Sequence, residues 1–222
     1  MTMTFLQRCL PIALILCIAT ALWQCWRIKR PSMFHRWLGA LTAIAFVTEV
    51  AGYWLLLEHT PNVVIYNAFG LVEFVITLAM VNAMFPPWST ILALVGAAGT
   101  LAMGTCLWSN SGLTFLLTEG IVAMDILITA VSLAVLWQLA VSSRIPLQRV
   151  PEFWLFLGML AYFGGVPPIM GIERYIYLTD HALAQRLFSI IPFLAVVRYM
   201  LTAVACLMAA TASRKNTLAW QA

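Results

Sequence analysis

The feature that most restricts this chain is a succession of apolar runs, each about twenty residues long, separated by short polar breaks. A helix needs roughly 20 apolar residues to cross about 30 Å of hydrocarbon. Backbone groups in lipid must pair internally, and continuous runs suit helices rather than alternating barrel strands. The sequence therefore predicts an all-α polytopic membrane protein, a single bundle over residues 1–222, with about seven transmembrane helices near residues 9–26, 38–57, 63–85, 88–108, 113–141, 153–170 and 187–211.

Composition supports a membrane-embedded chain, because hydrophobic residues make up 63% of it and charged residues only 9%. One soluble core of this size cannot enclose so many apolar side chains. The breaks between several runs are short and rich in turn-forming residues, as at residues 59–62, 86–87 and 109–112. We therefore expect neighbouring helices to form antiparallel hairpins.

The basic residues indicate the orientation, because short cytoplasmic loops retain positive charge. With the N-terminus outside and the C-terminus in the cytoplasm, the outer side holds three basic residues: Arg8, Arg174 and Arg186. The cytoplasmic side holds eight: Arg27, Lys29, Arg30, Arg36, Arg144, Arg149, Arg214 and Lys215. These residues form no patch interleaved with aromatic side chains, so we expect contact with membrane lipid and no nucleic-acid partner.

A weak internal match suggests a repeat. Residues 27–28 and 37–38 recur, at one constant spacing, as residues 144–145 and 154–155. Two three-helix units joined by a fourth helix would explain this match, and such parallel 3+1+3 repeats occur in transporters. The alternative is that topology alone places a basic loop before an interfacial tryptophan twice.

Four ionisable residues lie deep in the predicted helices, although each costs about 2.5–3.5 kcal/mol at the bilayer centre. At a rise of about 1.5 Å per residue, all four reach roughly the midplane: Glu49, Glu73, Asp125 and Arg198. Tyr53 shares a helix face with Glu49, and Tyr66 shares one with Glu73. The sequence predicts that these six residues form a ligand-binding or proton-binding site inside the bundle.

The charges of this predicted site do not balance. Three buried acids face one base, so at most one ordinary ion pair can form, and desolvation should keep the other carboxyl groups protonated unless a cation enters. The alternative is that the charges and nearby hydroxyl groups only join the helices by hydrogen bonds. Pro192 is expected to loosen helix seven before Arg198, and residues 164–168, with two glycines and two prolines, to interrupt helix six.

Enzyme and metal motifs are not found in the sequence. There is no nucleophile elbow, no phosphate loop and no buried Cys-His pair. Histidines fall at predicted membrane edges or in loops, at His35, His59 and His181, so we predict no catalytic residue and no metal ligand. The five cysteines show no spacing typical of metal ligands, and we expect them to be small packing residues: Cys9, Cys17, Cys25, Cys106 and Cys206.

Two segments, residues 66–74 and residues 151–165, carry the patterns Tyr-Asn-Ala-Phe-Gly-Leu-Val-Glu-Phe, Pro-Glu-Phe-Trp and Tyr-Phe-Gly-Gly. They resemble segments of small bacterial seven-helix membrane proteins without an assigned role. The resemblance covers a minor part of the chain and implies a multi-pass protein of the bacterial inner membrane. The helix number and orientation also resemble those of microbial rhodopsins, but both lysines, Lys29 and Lys215, lie outside the last predicted helix, so neither retinal nor another cofactor is expected.

From these features we expect a carrier or binder of a small solute, with the midplane residues as its site and protons as the coupling ion. The alternative is a seven-helix sensor or assembly subunit, in which the buried polar residues fix the packing and the outer loop 171–186 meets a partner. A third interpretation is an intramembrane acid/base enzyme acting on lipid. The sequence favours no oligomeric state.

Overall fold

The computed structural model describes residues 5–29, 31–109, 117–177, 180, 183 and 187–219. Within these residues the regular structure is helical, and seven helices are long and apolar enough to cross a membrane. The chain is therefore an all-α, multi-pass integral membrane protein, as the sequence predicts. The helices are α1 (Phe5–Trp26), α2 (Met33–Leu57), α3 (Val63–Met84), α4 (Ser89–Ser109), α5 (Thr118–Ser142), α6 (Pro151–Tyr177) and α7 (Ile190–Ala219).

The expected proline breaks do not occur. Helix α6 runs through Pro167 and Pro168 to Tyr177, so the predicted interruption is wrong, whereas its candidate membrane span, Pro151–Ile172, ends near the predicted residue 170. Inside a membrane bundle, neighbouring groups and small local adjustments can satisfy the carbonyls that a proline frees. Pro192 lies in the first turn of α7, where an N–H group would have no helical partner, so the loosening predicted before Arg198 is also wrong.

Short connections join several of the described helices, and one of them contains a side-chain cap. Ser32 precedes α2, and its hydroxyl oxygen accepts a hydrogen bond from the backbone N–H of His35 at 3.4 Å. His59, with a φ of 56°, turns the chain after α2. A 3-10 turn over Pro86–Trp88 joins α3 to α4. The predicted start of helix five at residue 113 lies outside the described residues, and Leu117 directly precedes α5.

The helices form a closed ring, because each packs against its neighbours in sequence and α1 also packs against α7. Direct contact between α3 and α5 leaves α4 on the outside of the bundle. Only three residues of α4 are buried: Leu92, Gly99 and Met103. We call the end of the bundle where α1, α3 and α5 finish the basic end, because Arg27, Arg144 and Arg149 lie in the connections there.

Apolar side chains cover the outside of the bundle, as a lipid solvent requires. Leu94, Leu101 and Leu133 on α4 and α5 are 67%, 69% and 58% exposed. The interior holds large side chains that are fully buried, among them Phe74, Phe156, Phe163, Met80 and Met124. It also encloses charged residues, which are rare inside membrane bundles and usually mark functional or pairing positions.

Candidate functional site

An ion pair lies in the interior of the bundle. Nη2 of Arg198 on α7 is 2.6 Å from Oε1 of Glu73 on α3, and both side chains are buried. An unpaired charge in this environment is costly, so the opposite charges stabilise each other. Nε of Arg198 has no hydrogen-bond partner among the described residues.

Aromatic rings surround the other sides of the Arg198 guanidinium group. Its central carbon lies 5.1 Å from the ring centre of Tyr162, 4.6 Å from that of Phe163 and 5.1 Å from that of Tyr199. The negative faces of such rings stabilise a cation, most strongly where water is excluded. These rings therefore help to keep Arg198 charged inside the bundle.

Close packing of α6 against α7 positions Arg198. A Cβ atom added to Gly158 on α6 would lie 3.1 Å from the backbone oxygen of Arg198 and 3.1 Å from Cβ of Leu201. Because glycine has no side chain, the two backbones can approach each other at this point. Gly158 thus sets the distance between α6, which carries Tyr162 and Phe163, and α7.

Asp125 on α5 is the second acid of the interior. Its residue is 6% exposed, and its carboxyl group interacts electrostatically with Glu73 and Arg198. Within the described part of the chain this carboxyl group makes no hydrogen bond and no ion pair, although the backbone oxygen of Asp125 accepts one from the Thr129 hydroxyl. Arg198 pairs with Glu73, so among the described residues Asp125 has no ion-pair partner of its own.

Glu49 on α2 is the third acid, and it is hydrogen-bonded to a tyrosine. The Tyr66 hydroxyl donates to Oε2 of Glu49 at 3.2 Å. A Cβ atom at Gly52 would lie 2.5 Å from the Tyr66 hydroxyl oxygen, so the tyrosine fits against α2 only because residue 52 is glycine. Glu49 also interacts electrostatically with Glu73, which extends the group of interior charges to α2.

The structure thus brings Glu49, Glu73, Asp125 and Arg198 into one electrostatic group, which we call the charge cluster. Tyr66 joins it through Glu49, whereas Tyr53 is partly buried on α2 and forms no hydrogen bond or ion pair among the described residues. Three aromatic neighbours of the cluster were not among the predicted site residues: Tyr162, Phe163 and Tyr199. The sequence carries two signals for them. Tyr162 and Phe163 form an aromatic pair directly before two glycines, and Tyr199 follows the buried Arg198.

Two buried hydroxyl groups lie between the charge cluster and the basic end. Thr77 follows Glu73 by one turn of α3, and Ser132 follows Asp125 by two turns of α5. Both residues are fully buried, and neither hydroxyl has a hydrogen-bond partner among the described residues. Unpaired buried hydroxyl groups are uncommon, and these two continue the polar interior from the cluster towards the basic end.

Neither of two cavities found in the described part of the bundle reaches the charge cluster. The larger is an open groove of about 720 Å³ near the basic end, bordered by α5, by α6 and by the 3-10 turn that precedes α4, and lined by Trp88, Trp137 and Phe153 among others. The smaller, of about 10 Å³, is lined by residues that include His35, Glu152 and Cys206. Glu73, Asp125 and Arg198 are therefore enclosed by protein in this arrangement of the helices, whereas Glu49 is half-buried.

Among the described residues, no three His, Cys, Asp or Glu side chains are placed to hold a metal ion. Nδ1 of His35 is hydrogen-bonded to the Ser32 hydroxyl at 2.7 Å, and His59 lies in the connection after α2. His181 lies outside the described residues. The chemistry available to the interior is therefore that of three carboxyl groups, one guanidinium group and several phenols.

Comparison of the chain with protein-family models, with characterised proteins and with solved structures gives no significant match. No residue role can be transferred from a relative. The functional argument therefore depends on the charge cluster itself, on its enclosure in the bundle and on the apolar surface around it.

Proposed function

We propose that this membrane protein is a carrier or binder of a small solute, with the charge cluster as its binding site and protons as the coupling ion. The observation that supports the proposal is the charge imbalance of the cluster. Arg198 pairs with Glu73, whereas Asp125 and Glu49 have no basic partner among the described residues. A proton or a positively charged group on a ligand would neutralise them.

The energetics favour reversible binding at these acids. A carboxylate withdrawn from water without a cation is strongly destabilised, so it takes up a proton or attracts a cationic ligand. Binding of a cationic solute could then release a proton, because the two compete for the same carboxyl group. This exchange is the elementary step of proton coupling, and Asp125 is the residue best placed to perform it.

Burial of Glu73, Asp125 and Arg198 is compatible with an occluded state of such a carrier. Alternating access requires that the site open to one side at a time. The buried hydroxyl groups of Thr77 and Ser132 extend the polar interior towards the basic end, which the excess of basic residues assigns to the cytoplasm. We propose that protons or solute leave by this side and that the protein resides in the bacterial inner membrane.

Reconstitution into liposomes that contain a trapped pH indicator tests the proposal. A panel of small cationic solutes, such as amines and amino acids, is added outside, and we expect at least one to change the internal pH. Asp125→Asn should abolish the change, whereas Glu58→Gln, at an exposed acid after α2, should retain it. A solute-driven pH change of equal size in Asp125→Asn, or no change with any solute, would contradict proton coupling at this site.

The second candidate is a seven-helix sensor or assembly subunit, and the enclosed position of the charge cluster favours it. In that case the charges join helices and the protein acts through a partner. The expected partner loop, residues 171–186, lies in part outside the described residues. Purification in mild detergent distinguishes the candidates, because a stoichiometric partner supports the subunit and a solute response supports the carrier. Lipid turnover by the purified protein would instead support the third possibility, an acid/base enzyme.

A further inference from the structure

Two cysteines that are far apart in the sequence meet in the bundle. Sγ of Cys25, in the last turn of α1, lies 2.6 Å from Sγ of Cys206 on α7, across a sequence separation of 181 residues. Both residues are buried, with exposures of 8% for Cys25 and 1% for Cys206. Both are free thiols in this structure. The pair lies between α1 and α7 at the basic end.

The packing of α1 on α7 holds these two sulfur atoms opposite each other. Leu14 and Ile18 on α1 form a buried cluster with Ala195 and Tyr199 on α7. This cluster fixes how far the two helices are shifted along each other. Thiols held in this way have a much higher effective concentration for each other than for a thiol on another molecule.

A small cavity lies beside one member of the pair. The cavity of about 10 Å³ is lined by Cys206 together with His35 and Glu152. That volume accommodates about one water-sized molecule. Hydrogen peroxide is only slightly larger, and Cys25, the more exposed of the two cysteines, lies beside Cys206.

We propose that Cys25 and Cys206 are an oxidation site that forms a reversible disulfide between α1 and α7, with a peroxide as the oxidant. One thiol attacks a peroxide oxygen, which breaks the O–O bond, forms a sulfenic acid and releases one water molecule from hydrogen peroxide. The second thiol attacks the sulfenic sulfur, which forms the S–S bond and releases a second water molecule. The two electrons lost by the sulfur atoms reduce the peroxide, and a dithiol reductant reverses the reaction.

The disulfide would restrict α7 close to the charge cluster. Cys206 follows Arg198 by eight residues of α7, which is a distance of about 12 Å along the helix. Covalent attachment of α7 to α1 prevents the two helices from separating at the basic end. This proposal does not depend on the carrier function, since the oxidation can occur whatever the protein binds.

Thiol counting tests the proposal directly. In a variant with Cys9→Ser, Cys17→Ser and Cys106→Ser, only the proposed pair remains. After denaturation in SDS, polymer-linked maleimide should add twice to the reduced protein, not at all after treatment of the folded protein with hydrogen peroxide, and twice again after dithiothreitol. The control carries Cys25→Ser in addition, and its remaining thiol should form no disulfide within the chain.

Three outcomes would overturn the proposal: two thiols that still react after peroxide, a loss of reaction that dithiothreitol does not reverse, or a disulfide that joins two chains.

Peptide mapping of the oxidised wild-type protein provides a second measurement that does not depend on the triple variant. It should recover a peptide containing both Cys25 and Cys206, with a mass about 2 Da below the sum of the reduced peptides because two hydrogen atoms are lost. Failure to find this peptide in fully oxidised protein would also reject the pair.

Discussion

Arg198 and Glu73 pair across the centre of the bundle, with 2.6 Å between Nη2 and Oε1. Their helices, α7 and α3, are not packed neighbours in the ring of helix contacts among the described residues. The pair therefore joins opposite sides of the bundle through its interior. Changes at either residue should therefore affect the packing of both sides.

Arg198→Gln should be the most destabilising change in the charge cluster. It leaves the Glu73 carboxylate buried without its cation, a loss of about 3–5 kcal/mol unless the carboxylate takes up a proton. Thermal unfolding in detergent should show a marked decrease in the unfolding temperature. Addition of Glu73→Gln should restore much of the loss, because the double variant buries no isolated charge. A double variant as unstable as Arg198→Gln would show that the pair does not account for the effect.

Asp125→Asn should fold with near-normal stability, because asparagine closely resembles a neutral carboxylic acid in size and polarity. It should nevertheless lose any ligand response that depends on proton exchange. Infrared spectroscopy of the wild-type protein should show the C=O stretching band of a protonated carboxylic acid, and this band should weaken in Asp125→Asn but not in Glu58→Gln. An unchanged band would mean that Asp125 is not the protonated acid.

Gly52→Ala should disturb the contact between Glu49 and Tyr66. The added methyl group would lie 2.5 Å from the Tyr66 hydroxyl oxygen, so the tyrosine must move away from its hydrogen bond. We expect a loss of about 1 kcal/mol in the free energy of unfolding. Gly39→Ala, on the same helix with nothing within 4 Å, is the matched control and should be neutral or slightly stabilising. Equal effects at residues 39 and 52 would contradict the proposed contact.

Gly158→Ala should push α6 away from α7 at Arg198. The new Cβ atom would meet backbone atoms of α7, which cannot move as easily as the end of a side chain. Overpacking of this kind costs about 1–3 kcal/mol, measurable by thermal or denaturant unfolding. The control is Gly171→Ala on the same helix, where an added Cβ atom meets nothing within 4 Å. Full stability of Gly158→Ala would show that the helices have room to separate.

Single cysteines test the orientation in whole cells. In a background without other cysteines, Thr60→Cys lies in the connection after α2, and Ile145→Cys lies in the connection after α5 at the basic end. A membrane-impermeant maleimide should label only Thr60→Cys in intact cells and both variants after permeabilisation. Labelling of Ile145→Cys in intact cells would reverse the proposed orientation.

The seven helices and the interior position of the charges could be predicted from the sequence for a simple physical reason. Apolar length identifies a membrane span, and the position of a residue along its span gives its depth. Both quantities depend on one helix at a time. Glu73, Asp125 and Arg198 were therefore placed at a common depth before any contact between their helices was known.

Contacts between helices could not be predicted in this way, because depth says nothing about the rotation of a helix or the choice of its neighbours. The sequence did not show that Arg198 pairs with Glu73 rather than Asp125. The predicted site also included Tyr53, which makes no hydrogen bond to the charge cluster. It did not include Tyr162 and Tyr199, whose rings lie against Arg198. These details depend on the packing of α6 against α7.

The position of Arg198 on the last helix has a consequence for biosynthesis. Helices enter the membrane in the order of their synthesis, so α2, α3 and α5 bring in Glu49, Glu73 and Asp125 before the basic residue of the cluster has been translated. The partly made chain must hold these acids in lipid as neutral groups, or keep their helices close to water in the insertion machinery. Arrival of α7 supplies the missing charge and, by packing against α1, closes the ring. The step that closes the ring thus also supplies the cation for Glu73, whereas Glu49 and Asp125 still depend on a proton or a ligand.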